Sequence, residues 1–363
     1  MIPIKAAIER RAIGAGVDEG ARGWCSRAVW AMVWLVSANS SGSLGGDAAA
    51  SERGLQHILL DDSLPHQRRT LLRLSGADVA RFLQGLLSAD IEAIAASQAR
   101  PATVLTVKGK IVSELIVLRD EDGKLGLAVP SEIEEAVAQK LDRHVIMDDV
   151  ELALDPAPGL AFVWGEGLTR AQAPSECGAV FETTHPAPGL LVVGTAEQLA
   201  TLSAWAPAAG PEDFTRYRVA SASPAWGHEL RPDRFPPEVG FVHAVSYDKG
   251  CYMGQEPLSR IHARGQVNRV MVRVSAEVTP EASAEPIELS AESRPKAGLW
   301  TTWVATPGGG CEGLAIVHRS VAKPGAQLGA GELTLTVRSG PLGDDLGMGG
   351  RHGKSATVKL GRR

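Results

Sequence analysis

The spacing of hydrophobic positions changes period several times along this chain, and each change predicts an element. Arg69-Thr70-Leu71-Leu72-Arg73-Leu74 reads as a strand ended by Ser75-Gly76. From Ala77 to Gly85 the period lengthens, with Val79, Phe82 and Leu83 at i, i+3, i+4, which predicts an amphipathic helix opened by Ser75 or Asp78. Thr103–Val107 and Ile111–Leu118 predict a hairpin around Lys108-Gly109-Lys110, and Leu125–Val129 a further strand. Ser131 to His144 reads as a helix with Ser131 as N-cap and acids in its first turn, where they complement the helix dipole. Residues 150–215 are rich in Pro and Ala and predict short strands and one helix, Ala196 to Trp205. Beyond Gln266 the period returns to two in Arg269–Val274, and short strands near 298–306, 312–318 and 332–338 predict a small β-barrel. Strands and helices mix without regular βαβ alternation, so the fold class expected is α+β.

The same pattern divides the chain. Residues 1–55 form an extension, 56–269 an α+β region of two intertwined lobes, 270–340 the barrel, and 341–363 a Gly-rich, modestly basic, flexible tail. The extension carries a nine-residue apolar run, Ala28 to Val36, against about twenty residues needed for a spanning helix, so no membrane span is expected. A disordered extension or over-long start, a cleaved leader and a docking helix all stay open for it. It is left out of the fold.

Composition narrows the partners. A net charge of −5 speaks against stable nucleic-acid binding as the main role, because phosphate contacts need a strongly basic surface. The four cysteines, Cys25, Cys177, Cys251 and Cys311, are scattered without a CxxC pair. No permanently bound metal is expected from such a set, and scattered thiols suit the reducing cytoplasm.

One segment stands apart from the packing pattern: Lys249-Gly250-Cys251-Tyr252-Met253-Gly254-Gln255-Glu256. Gly250 and Gly254 let backbone approach a ligand, and a lysine beside Cys251 favours the reactive thiolate. Cys251 and Lys249 are therefore the expected catalytic pair, with His262 a further neighbour. Gln255 and Glu256 have the acceptors to meet the amino and ring N–H groups of a heterocycle, and Glu238 is a second candidate for that task. Lys108 and Lys110 suit an acidic tail, or are simply a solvated turn. Glu256 has an alternative partner in Arg260, four residues on.

The octapeptide Lys249–Glu256 resembles the K-G-C-Y-x-G-Q-E signature of YgfZ-type folate-binding proteins, relatives of the glycine cleavage T protein, an aminomethyltransferase. The resemblance runs from about 56 to 338. It includes Leu74-Ser75-Gly76-Ala77-Asp78 with Phe82-Leu83-Gln84-Gly85, the Lys108-Gly109-Lys110 turn, Gly227-His228-Glu229-Leu230 with Pro237-Glu238, and Arg260. It implies three lobes around a central folate-binding channel with a C-terminal β-barrel, and tetrahydrofolate or a derivative as cofactor. Gly250, Tyr252, Gly254, Gln255, Glu256, Glu238, Arg260, Lys108 and Lys110 are the cofactor-binding residues it suggests. The partners it implies are iron–sulfur client enzymes, including those that thiolate tRNA, or assembly factors. The T protein carries an Asp-Asp pair where this chain reads Ser113-Glu114, and it lacks the cysteine signature. Both departures favour an accessory factor with Cys251 as its thiol over the alternative, a folate-dependent one-carbon transferase or demethylase.

Overall fold

Alternation along two strands shows how the molecule is layered. The computed structural model describes residues 2–3, 54–264, 267–281, 283 and 285–343. In strand β5 (Ile111–Arg119), Leu115 and Val117 enter one hydrophobic cluster while Ile116 and Leu118 enter another on the opposite face. Burial on both faces favours an apolar residue at each position, which is why Leu115–Leu118 shows no polar alternation. Helices α1 (Val79–Leu86) and α2 (Glu134–Asp142) cover the first face, through Val79, Phe82, Leu83, Val137 and Leu141. The second face packs against Phe162, Trp164, Phe181 and Phe214.

The sheet that contains β5 has ten strands in the order β1-β7-β3-β6-β5-β4-β9-β10-β8-β2. Their ranges are β1 Ile2–Pro3, β2 Gln56–Leu59, β3 Arg69–Ser75, β4 Gln98–Leu105, β6 Leu125–Pro130, β7 Glu151–Asp155, β8 Gly159–Trp164, β9 Ala179–Thr183 and β10 Gly189–Gly194. The pairings are antiparallel except β4 with β9, which run parallel. That parallel seam joins a first half, β3–β7, to a second half built from β2 and β8–β10. Helices α3 (Ala196–Ala200), α4 (Leu202–Trp205) and α5 (Pro211–Ala220) follow the second half.

After α6 (Gln255–Arg264) the chain enters a closed barrel, β11-β14-β13-β12-β15-β16. Its strands are β11 Arg269–Ala276, β12 Ile287–Ala291, β13 Arg294–Ala305, β14 Cys311–His318, β15 Gln327–Ala330 and β16 Leu333–Val337. Val270, Val272 and Val274 point into the barrel with Trp300 and Leu335, whereas Met271 faces out onto Val219 of α5. Each fully buried side chain of this kind contributes about 1.5–3 kcal/mol. Closure also removes the open edges that would otherwise template aggregation.

Barrel and sheet are bolted together by a buried ion pair. Arg218 of α5 donates to Glu229 Oε2 at 3.0 Å, to Ser223 O at 2.8 Å and to Thr302 Oγ1 at 3.0 Å. Glu229 accepts in addition from Ala225 N at 3.0 Å, Thr301 at 2.7 Å and Thr302 at 2.6 Å. Every lobe of the carboxylate is engaged. Burial acts to raise the pKa of Glu229, but Arg218, His228 and the two threonines outweigh it and hold the group ionised.

Several sequence expectations change here. Ser131 does not cap a helix: residues 131–133 form a 3₁₀ turn ahead of α2, and the Ser131 hydroxyl bonds Thr70 Oγ1 at 2.9 Å. Asp78 occupies the N-cap position of α1, yet its carboxylate accepts from Asp149 N instead of capping. The helix expected over 196–205 is two short ones that meet at Thr201. Helices α5 and α6 and strands β12 and β15 were not expected at all. Ile2–Pro3, left out of the fold on sequence grounds, pairs with β7 at the sheet edge. The rest of the extension, residues 4–53, and the tail from 344 onward lie outside the described residues.

Candidate functional site

The thiol sits on a loop held from both sides. Tyr252 turns inward among Leu105, Ile111, Phe241 and Leu258, and its hydroxyl donates to Ser246 O at 2.9 Å. Burial raises its pKa, with Tyr247 adding to the effect, so the ring is a neutral anchor. Met253 N donates to Gly85 O at 3.2 Å and Ser246 N to Ser88 O at 2.8 Å, which ties the loop to the end of α1. Cys251 is left exposed at the tip with a free thiol, whereas Cys177 and Cys311 are buried. A Cβ on Gly250 would meet nothing within 4 Å, so the space beside the thiol is open.

Lys249 does something other than the sequence suggests. Its ammonium donates to Gln84 O at 2.7 Å, Leu87 O at 2.6 Å and Ala89 O at 2.6 Å. These carbonyls lie at the C-terminal end of α1, where backbone acceptors lack helical partners and carry the negative end of the dipole. The same ammonium lies 4.7 Å from the centre of the Tyr252 ring. Burial lowers its pKa to about 8, opposed in part by Asp90 and Glu92. All three of its N–H bonds are spent on carbonyls, so Lys249 fixes the loop to the helix.

Two glycines set the floor of the site. Gly254 has φ +81°, and a Cβ there would collide with the Thr106 carbonyl oxygen and lie 2.9 Å from Leu105 Cβ. Gly109 has φ +73°, and a Cβ on it would lie 3.1 Å from Gly254 O. The Lys108-Gly109-Lys110 turn and the signature loop therefore touch backbone to backbone, which only glycine permits. A register shift between Val104 and Leu105 aims Leu105 under the loop, as bulges near functional sites commonly do.

The remaining predicted contacts are spent largely within the protein. Glu256 and Arg260 pair with each other on the exposed face of α6. Glu238 accepts from Phe235 N at 2.9 Å and so caps the short 3₁₀ turn Pro236–Val239. The Lys110 ammonium lies 3.7 Å over the Phe235 ring, a cation–π contact, while Lys108 is exposed. His262 stacks on Tyr247 with ring centroids 4.1 Å apart. Gln255 opens α6 half-buried.

A second group of polar side chains escaped the sequence reading. Arg69, Glu114 and His185 are all at most 5% exposed. Arg69 pairs with Glu114, and His185 Nε2 lies 3.4 Å from the other Glu114 oxygen. Burial acts to raise the Glu114 pKa, but Arg69 and then His185 outweigh it. Arg69 Nε and Nη1 and His185 Nδ1 have no hydrogen-bond partner among the described residues. Phe241 packs edge-on to His185 at 5.0 Å and to His243 at 5.1 Å. Desolvation of His243, reinforced by His185 and Arg100, lowers its pKa to about 4. The signal in the sequence was Glu114 itself, a lone carboxylate inside an otherwise apolar strand. Ser113, on the other face of β5, donates to Glu114 O at 2.6 Å.

Among the described residues no group of three or more His, Cys, Asp or Glu side chains is placed to hold a metal ion, and no helix is long and apolar enough to cross a membrane.

No family model matches the chain. It is 30% identical over 270 residues to the tRNA-modifying protein YgfZ of Edwardsiella ictaluri, an alignment that covers 66% of this chain and 77% of that one. It is 27% identical over 261 residues to the human mitochondrial iron-sulfur cluster assembly factor IBA57, with 64% and 69% covered. The fold matches the glycine cleavage system aminomethyltransferase T of Bartonella henselae with a TM-score of 0.63 at 15% identity, over 80% of this chain and 86% of that one. The closed C-terminal barrel and the mixed α+β sheet give this chain the fold of that aminomethyltransferase, and with the Lys249–Glu256 loop on this scaffold the chain belongs to the YgfZ family.

Proposed function

We propose that this protein is a folate-binding accessory factor for the assembly, maintenance or repair of iron–sulfur enzymes, with Cys251 as its functional thiol. The observation that carries the reading is the thiol loop: an exposed cysteine on a segment fixed by Lys249, Tyr252 and Gly254 rather than by the cysteine itself. The energy of holding the loop is supplied by its neighbours, so Cys251 is free to react or to ligate. The names of the relatives, one a tRNA-modifying protein and one an iron-sulfur cluster assembly factor, support the client class.

For folate, the side chains around His243 fit better than most of those chosen from sequence. Glu238 and the Glu256–Arg260 pair already have partners inside the chain. Arg69 and His185 carry orphan N–H capacity beside the Glu114 carboxylate among the described residues. Such a set matches the amide and amino edge of a pterin. The folate, when bound, would supply a one-carbon carrier; these residues would orient its ring. Ser113 brings no carboxylate to the other face of β5, and Glu114 is locked in its ion pair, which counts against aminomethyl transfer of the T-protein kind.

The test is rescue of an iron–sulfur enzyme in cells that lack this chain. Wild type is expected to restore activity and Cys251→Ala to leave it at the level of empty vector. Normal enzyme activity with empty vector would remove the accessory role.

A further inference from the structure

The hairpin turn against the thiol loop carries exposed cationic charge and one apolar knob. The hairpin turn that touches Gly254 presents Val107, 75% exposed, and Lys108, also exposed, beside the thiol loop. The strand leaving that turn is tied to a second cationic segment, because Ile111 N donates to Arg234 O at 2.8 Å and Lys110 lies over Phe235. Arg234 is half-buried with no hydrogen-bond or ion-pair partner for its guanidinium among the described residues. Its charged neighbours are Arg269, Glu238 and Arg231. Arg231 is turned back onto Gly227 O at 2.8 Å, and Arg269, opposite His318 in the barrel ladder, is exposed. The carboxylates of the same segments are Asp233, Glu238, Asp248 and Glu256, of which Glu238 and Glu256 are engaged. In a chain of net charge −5, an unpaired half-buried arginine among other arginines is a site awaiting negative charge.

We infer that Cys251 is approached by an acidic protein partner that seats an apolar socket on Val107 and its carboxylates on Lys108, Arg234 and Arg269. The inference rests on the thiol reading above and names the chemistry of the partner that meets it. Nucleic acid is the other polyanion to consider. The isolated valine at the tip of the turn favours a protein surface, since phosphate backbones offer no apolar socket. The Gly109–Gly254 contact holds the turn that carries the knob against the loop that carries the thiol.

The purified full-length protein tests this with two short peptides, each carrying Leu and one cysteine as a 2-thiopyridyl disulfide, one rich in Glu and the other in Lys. The Cys251 sulfur, having lost its proton to solvent, attacks the peptide sulfur; a peptide–protein disulfide forms and 2-thiopyridone leaves. A Cys251→Ala chain gives the background from the other three cysteines. The Glu-rich peptide is expected to react about tenfold faster at low salt, with the ratio falling toward one at high salt. Lys108→Glu, on an exposed side chain, and Lys108→Glu with Arg234→Glu should remove or invert the preference. Val107→Ser should slow the Glu-rich peptide about threefold and leave a small neutral disulfide unaffected. Equal rates for the two peptides, or a preference that survives Lys108→Glu, overturns the inference. So does stronger protection of Cys251 by a single-stranded oligonucleotide than by an unreactive Glu-rich peptide of equal charge. These rates are read on purified protein, so they fail separately from the cellular rescue.

Discussion

Two arginine–glutamate pairs lie at the centre of this molecule, and they are built to opposite standards. Arg218–Glu229 is surrounded by Ser223, Ala225, Thr301 and Thr302, each of which makes a hydrogen bond to it. Arg69–Glu114 is as deeply buried, but among the described residues it has only His185 beside it and leaves two guanidinium nitrogens without partners. A buried charge costs several kcal/mol of desolvation unless its remaining hydrogen bonds are made. The first pair meets that condition and joins barrel to sheet. The second does not, and in native proteins an orphaned buried donor usually marks a ligand, a water or a working site. Burial and charge alone would call the two equivalent; the census of partners separates them.

Replacing both members of each pair with apolar residues of similar volume gives the largest contrast. Arg218→Met with Glu229→Leu strands Thr302 and two backbone groups and leaves Thr301 only Leu314 O, and should cost about 3–5 kcal/mol in urea unfolding. Arg69→Met with Glu114→Leu strands little besides His185, and should change stability by less than about 1 kcal/mol; on the folate role proposed above it should also remove folate binding by calorimetry. Equal losses from the two double variants would break the distinction.

Lys249 is a third buried charge and sharpens the comparison through pH. Its pKa falls from the usual lysine value to about 8 on folding. Between pH 8 and about 10.5 the unfolded chain therefore binds more protons than the folded one, and stability should rise with pH across that window. The urea midpoint of wild type is expected to gain on that of Lys249→Met over the same range. A constant gap between the two would mean that the three carbonyls hold the proton as firmly as water does.

The exposed Glu256–Arg260 pair marks the small end of the scale. Glu256→Ala should shift stability by no more than about 0.5 kcal/mol, because solvent screens the pair and ordering two long side chains offsets the attraction. A larger loss by thermal unfolding would show that α6 depends on that contact.

How much of this was legible in the sequence follows from what each signal depends on. The β4–β5 hairpin and α1 were readable because period and turn residues are local. Strands β12 and β15 are short and take their stability from closing the barrel, which no local window reports. Helix α5 could have been found: Pro211 at the first helical position, with Glu212 and Asp213 behind it, is a start signal. The thiol loop announced itself through residue types that packing does not require. The partners of Lys249, in contrast, lie 160 to 165 residues away, and nothing near it in the chain says that its charge faces inward. Ser113 was read as the missing aspartate and Glu114 only as its neighbour on the opposite face; the pairing of Glu114 with Arg69 and His185 depends on strand order across the whole sheet.

The contact between Gly109 and Gly254 also sets an order of events during synthesis. The hairpin leaves the ribosome long before the thiol loop, since nearly a hundred and fifty residues separate them, and it can pair and turn without waiting. The loop cannot take its final shape until that turn is there to receive it. The cell is therefore not exposed to an ordered Cys251 before the hairpin exists: the thiol takes its place only once the turn beneath it has formed.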